Sequence, residues 1–297
     1  MEEYIVELQT YLPLNYLKSE NNEYIKYLTD ACEETSALNK DQFSLIAFHM
    51  LYMSYVFKVV WQSNQVNHNN IQNLLQNYNS KLGNYDNPFD LSIVSEKESI
   101  KFLKCFDFHI NKISQFSSPI DNRDHCAHAS GFVQYKKPEV ERIVNDEVNH
   151  IKIIHEKTKG LIDKLFRNFF TSSYKPDDAG SYFPSGLESV DKFISINLLS
   201  LKDLEMVKTI DFDFLQQESS NRDVIFQKVF YLLTLAKYDD YFGGEFTSFV
   251  EKFPLLLNGM AKQNEIKIDD LIENELSTVW QSLSVNQRNI LLSEITG

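Results

Sequence analysis

The sequence predicts an all-α fold. Three observations carry that reading. Apolar residues recur at helical spacing over long runs, most clearly from Val140 to Phe169. The residues that punctuate strands and tight turns are scarce, with 9 Gly and 7 Pro in 297 residues. Leu, Ile, Phe, Lys, Glu, Asn and Gln dominate instead, a profile that favours helices with short connections over a sandwich or barrel. At 43% hydrophobic the chain can fill a core, and its length allows one large domain or two ordinary ones.

Residues 1–36 hold two short helical patterns, separated by Pro13 and the polar run Ser19 to Asn22. The second, Glu23 to Glu34, aligns Tyr24, Ile25, Tyr27, Leu28 and Cys32 on one face. A strong helix then opens at Asn39 to Asp41 and runs to about Gln62, with Asp41 as a fair N-cap. Its segment from Phe43 to Trp61 is apolar nearly all round, which marks a buried central helix. His49 inside it reads as a core histidine bonded to a neighbour, or as a support beneath a cleft. Residues 63–94 are rich in Asn and Gln, with a short helix at Ile71 to Tyr78 and loop elsewhere.

Glu96 to Phe116 forms the next long pattern, with His109 packed among its apolar residues. Ser117-Ser118-Pro119 is expected to break it. Asp121 or Asn122 would then cap a new helix and place the next residues in its first turn. There, free backbone N–H groups favour a phosphate. Pro138 starts the following helix, which runs to about Phe170 on a stripe of Val140, Ile143, Val144, Val148, Ile151 and Ile154. His150 and His155 are expected along its surface or groove, and Gly160 as a bend.

Ser172 to Gly186, with Pro176, Gly180, Pro184 and Gly186, is the best boundary in the chain. It divides a helical domain at 1–175, through a linker at 176–186, from a helical C-terminal region at 187–297. Helical patterns continue there at about 187–200, 201–209, 222–238, 245–258, 268–282 and 284–295. The repeated Asp pairs of this half sit at helix ends, where Asp caps. Net charge is −13, which argues against a protein coated in nucleic acid. Residues 1–175 carry 22 acids and 19 bases, and residues 176–297 carry 20 acids and 10 bases. Within 136–175 nine Lys/Arg face six Asp/Glu, so a local basic face is available on an acidic protein.

No run approaches the 18 apolar residues of a membrane span, and the acidic start Met-Glu-Glu-Tyr predicts no signal peptide. Three widely spaced cysteines suggest a reducing compartment, with the cytoplasm as default. There is no P-loop, no G-x-G-x-x-G, no nucleophile elbow and no C-x2-C.

Reactive groups concentrate in one place, Asp121-Asn122-Arg123-Asp124-His125-Cys126-Ala127-His128-Ala129-Ser130-Gly131. Guanidinium holds a phosphate by two parallel hydrogen bonds and keeps its charge. Neutral imidazole accepts a proton near pH 7. Together they suit cleavage of a phosphodiester that carries its own nucleophile, which means RNA. On one straight helix, positions five apart diverge by about 140°, so Arg123 and His128 do not share a patch. His125 and His128, three apart, do. A competing metal reading uses Asp124, His125, Cys126 and His128, with His150 and His155 as a second pair.

Arg123, four residues, then His128, with a polar residue after the arginine, Ala127 before the histidine and Gly131 beyond, resembles the R-x4-H motif of the HEPN superfamily (higher eukaryotes and prokaryotes nucleotide-binding). The resemblance spans residues 38–172. It implies a HEPN-like helical bundle with an additional C-terminal helical region, and a metal-independent endoribonuclease that needs no cofactor. It also implies a homodimer whose two motifs face each other across one cleft, with RNA as substrate. Arg123 and His128 would be catalytic, Asp124 would orient one of them, and Asn122 and His125 would support. Ser130 stands where some members carry a modifiable tyrosine, so regulation of that kind is not implied. Many bacterial relatives of this type are toxins or abortive-infection effectors, some under an antitoxin or regulatory partner. The alternative is a non-catalytic HEPN-type module that binds a nucleotide, RNA or protein.

Overall fold

The computed structural model describes residues 1–83, 85–127, 135–172 and 192–206, together with the single positions 285 and 289. Among them the chain is helical, and no strand is present beyond one isolated bridge between Pro13 and Ser200. The all-α expectation holds. In order, the helices are α1 (Glu2–Gln9), α2 (Ser19–Ala37), α3 (Asp41–Val66), α4 (His68–Tyr78), α5 (Glu96–Lys101), α6 (Ile110–Ala127), α7 (Lys137–Ser172) and α8 (Leu201–Glu205). Short 3-10 segments lie at Ser80–Gly83, Pro88–Ile93 and Phe102–Phe106.

The chain divides into two compact units. One comprises Met1–Leu165 with Ile194–Met206, the other Phe166–Phe193 with Val207–Gly297. In the second, the Phe166 and Phe193 rings lie 5.4 Å apart. The linker expected at 176–186, and the helical patterns expected from 222 onward apart from positions 285 and 289, fall outside the described residues.

In the first unit α3 is the axis, as its all-round apolar sequence predicts. Phe48, Leu51, Tyr52, Tyr55 and Val56 are completely buried. Tyr52 donates its hydroxyl to the Phe116 carbonyl (3.1 Å), and Tyr55 to the Ile151 carbonyl (3.4 Å), so two flanking helices are pinned to α3 by buried bonds. By length and composition α3 is also apolar enough to cross a membrane, which corrects the expectation that no run approaches a span. Yet 83% of the stretch is buried inside the fold, as in a core helix. The stripe predicted on α7 packs into the same core through Val140, Ile143, Val144, Val148, Ile151 and Ile154. α7 runs from Lys137 to Ser172 through Gly160.

Two boundaries differ from the sequence expectation. The Glu96–Phe116 pattern is two helices, because Asp107 adopts a left-handed conformation (φ 57°) that ends the 3-10 segment before it. His109 is exposed, not packed, and its Nδ1 accepts the Asn111 amide at 3.3 Å near the start of α6. Conversely, Pro119 does not end a helix: α6 runs through it to Ala127. Proline cannot donate to the carbonyl four residues back. That carbonyl, on Gln115, instead accepts the Ser118 hydroxyl at 2.8 Å. Pro119 and Ile120 are buried, so packing offsets the lost bond.

The segment 194–206 belongs to this unit although it lies well beyond the expected linker. Leu14 N donates to Leu199 O, Lys202 N to Thr10 O, and Trp61 Nε1 to Ile196 O (2.8 Å). Beneath it Lys58 and Asp203, both about 1% exposed, form a 2.6 Å ion pair. Lys58 also donates to Tyr11 O and Ser200 Oγ, and Gln62 Nε2 to Asp203. His155 of α7 reaches Asp203 at 3.5 Å and stacks edge-on to Tyr11. It is therefore buried, not the surface or groove residue expected.

Candidate functional site: a chain of charges beneath Arg123

The described part of the motif, Asp121 to Ala127, lies within α6, not in the first turn of a new helix. Inside a helix the amide N–H groups of Asp121 to Ala127 are engaged along the axis, so the expected cradle of free first-turn N–H groups for a phosphate is not formed there. Binding an anion here falls to side chains.

Arg123 is the best-organised of them. Its NH1 meets Asp124 Oδ1 at 2.9 Å, and its NH2 bonds Glu96 Oε2 from the first turn of α5. Arg123 Nε is buried and has no hydrogen-bond partner among the described residues. The side chain as a whole stays 21% exposed, with both terminal nitrogens paired to carboxylates. Ser95 caps α5 by accepting the Glu98 amide, which fixes the turn that presents Glu96. Lys97 and Asp121, 2.8 Å apart, tie α5 to α6 at the surface, a contact of small energetic weight.

Glu96 is itself held. Its Oε2 also meets Nε2 of His49 at 3.3 Å, and His49 Nδ1 meets Glu147 Oε1 at 2.5 Å. His49 and Glu147 are completely buried. Four helices thus contribute to one line of alternating charge: Glu147 from α7, His49 from α3, Glu96 from α5 and Arg123 from α6. Burial pulls the His49 imidazole down, but the Glu147 and Glu96 carboxylates outweigh it and lift it to about 9. Burial also pushes the Glu147 carboxyl up. Both shifts express the same fact, that the proton on the short Glu147–His49 line is retained at neutral pH. Burial opposes ionisation of Glu96, yet His49 and Arg123 hold it below the ordinary carboxylate range.

The remaining expected residues spread around this line. His125 is exposed, with Nδ1 3.4 Å from the Tyr135 hydroxyl. Asn122 is half-buried and takes no part in the Arg123 network. His128 falls outside the described residues. His150 is half-buried with its ring against Phe116 and Tyr52, so it too is not a groove residue. Among the described residues no group of three or more His, Cys, Asp or Glu side chains is placed to hold a metal ion.

Sequence reasoning named His49 but missed Glu96 and Glu147. Glu147 carries a usable signal: it occupies the apolar phase of α7, one turn after Ile143 and one before Ile151, where a charge needs a buried partner. Glu96 carries none, because a Glu in a first helical turn is commonplace. No family model, curated protein or solved structure matches the chain.

Proposed function

We propose that this protein is a metal-independent endoribonuclease of the HEPN type. One observation supports it above the rest. A partly exposed arginine is held by a carboxylate that a fully buried imidazole–carboxylate pair holds in turn. Orienting one surface arginine through two buried charges suits a group that must meet a phosphate in a fixed pose.

In the reaction, the ribose 2′-oxygen attacks phosphorus while the bond from phosphorus to the 5′-oxygen breaks. His128 takes the 2′-OH proton as general base, or delivers one to the departing 5′-oxygen. Arg123 stabilises the extra negative charge on the phosphorane-like transition state, a contribution of roughly 3–4 kcal/mol. Asp124 orients the guanidinium, and Asn122 and His125 flank the substrate. Products are a 2′,3′-cyclic phosphate and a 5′-OH. The second motif comes from a homodimer partner, and the biological setting is a cytoplasmic toxin or abortive-infection effector, under an antitoxin or other regulatory partner.

The test is incubation of wild type, Arg123→Ala and His128→Ala with total RNA, tRNA and DNA in EDTA. Cleavage of RNA alone, lost in both variants, is expected. Intact RNA from a purified wild-type dimer, or cleavage that survives in both variants, overturns the reading.

A second reading has its own observation. Arg123 already meets two carboxylates, as a purely structural arginine does. In a non-catalytic module that pairing would serve only to tie α5 to α6, and partner binding would survive His128→Ala.

A further inference from the structure

The first unit contains a cavity of about 450 Å³ between α2, α3, the Pro88–Ile93 segment and α5. Tyr24, Met50, Phe57, Phe89, Ser92 and Glu96 define its chemistry. Phe89 lies 5.5 Å from Tyr24 and 6.1 Å from Phe57, nearly perpendicular to both at 89° and 86°. This leaves ring faces and edges to receive a flat ring. The thioethers of Met50 and Met53 line the same space and suit aromatic edges.

Glu96 is the one charged side chain on this lining, and it is the carboxylate that holds Arg123. Its Oε2 serves both Arg123 and His49, while Oε1 makes no hydrogen bond to a described residue. Glu96 is already shared between Arg123 and His49, so a cation entering the cavity meets its free Oε1 and competes with Arg123 for the carboxylate. We propose that this cavity binds a small planar aromatic cation, of the amidinium or protonated heteroaromatic amine class, whose charge pairs with Glu96 in competition with Arg123. Such a ligand presents the same two N–H donors to Glu96 that a guanidinium does. Its occupancy loosens the Arg123 anchor and couples the cavity to the surface around Arg123. Burial, reinforced by the Glu96 charge, pushes the Tyr24 hydroxyl up, so that charge is felt across the cavity.

Binding stands independently of RNA cleavage, and only its effect on cleavage rests on the nuclease reading. The probe is benzamidine, titrated into the full chain at neutral pH by calorimetry, against neutral benzamide and anionic benzoate. Benzamidine is expected to bind at least about tenfold more tightly than benzamide, and benzoate not at all. Glu96→Gln reduces benzamidine to the benzamide level. Ser92→Trp, at an exposed position on the lining, blocks binding with the helical circular dichroism unchanged. Benzamidine also raises the rate of phenylglyoxal modification at Arg123 by about fivefold. Equal affinity for benzamidine and benzamide, or undiminished binding by Ser92→Trp, overturns the site. Unaltered labelling of Arg123 overturns the coupling. Absence of RNA cleavage sinks the nuclease reading and leaves the calorimetry to decide this one.

Discussion

Arg123 and Glu96 are 27 positions apart in the chain and bonded to each other between α6 and α5. Glu96 is shared with His49, so the arginine is only as well placed as the buried pair behind it.

Removing the Glu96 charge therefore acts on the surface arginine from a distance. Under the proposed nuclease reading, Glu96→Gln is expected to lower single-turnover RNA cleavage about 10²-fold, the scale of misplacing a reacting group by roughly an ångström. Glu96→Asp should fall between wild type and Glu96→Gln. Equal rates for all three would remove Glu96 from any positioning role.

The same line of charges makes stability depend on pH. His49 titrates near 9 in the folded chain, above its ordinary 6.5. It faces Glu147 from α7 and Glu96 from α5. Between those pH values the native state holds a proton that the unfolded state releases. Its contribution is complete below pH 6.5 and disappears as pH rises through 9. Urea unfolding should lose roughly 2–3 kcal/mol between pH 6.5 and 9.5. His49→Gln should flatten that slope, and an unchanged slope would show that the proton resides elsewhere.

Lys58 and Asp203 give the largest expected loss of stability. Lys58→Met leaves a buried carboxylate with its 2.6 Å partner gone, at a cost of about 3–5 kcal/mol. The double variant Lys58→Met/Asp203→Leu should recover much of it, because an uncompensated charge is worse than none. Denaturant midpoints for the single and double variants decide this. A double variant no better than the single one would mean that the bonds of Asp203 to Gln62 and Ser200, rather than its charge, anchor the 194–206 segment.

Gly160 offers a gain. It is exposed within α7, and nothing lies within 4 Å of where a Cβ would stand. Gly160→Ala should stabilise by up to about 1 kcal/mol through helix propensity alone. A fall in thermal midpoint would indicate that the glycine is needed for something other than the helix.

The helices themselves were legible from periodicity. The unbroken apolar face of α3 dictates a central helix, and the stripe of α7 dictates which side it buries, because both are local consequences of spacing. Pro119 and Asp107 were not legible, because each turned on one local interaction. A serine hydroxyl replaces the proline's missing donor, and a left-handed residue stops a run whose apolar spacing continues.

The sequence by itself determined an all-helical chain with one cluster of reactive groups around Arg123. Only the tertiary structure decided that Asp121 to Ala127 continue a helix rather than begin one, and that Glu147, His49 and Glu96 stand behind Arg123 in single file. The physical reason is that a buried charge is stable only beside its opposite. Those opposites lie on four helices whose adjacency no local pattern encodes.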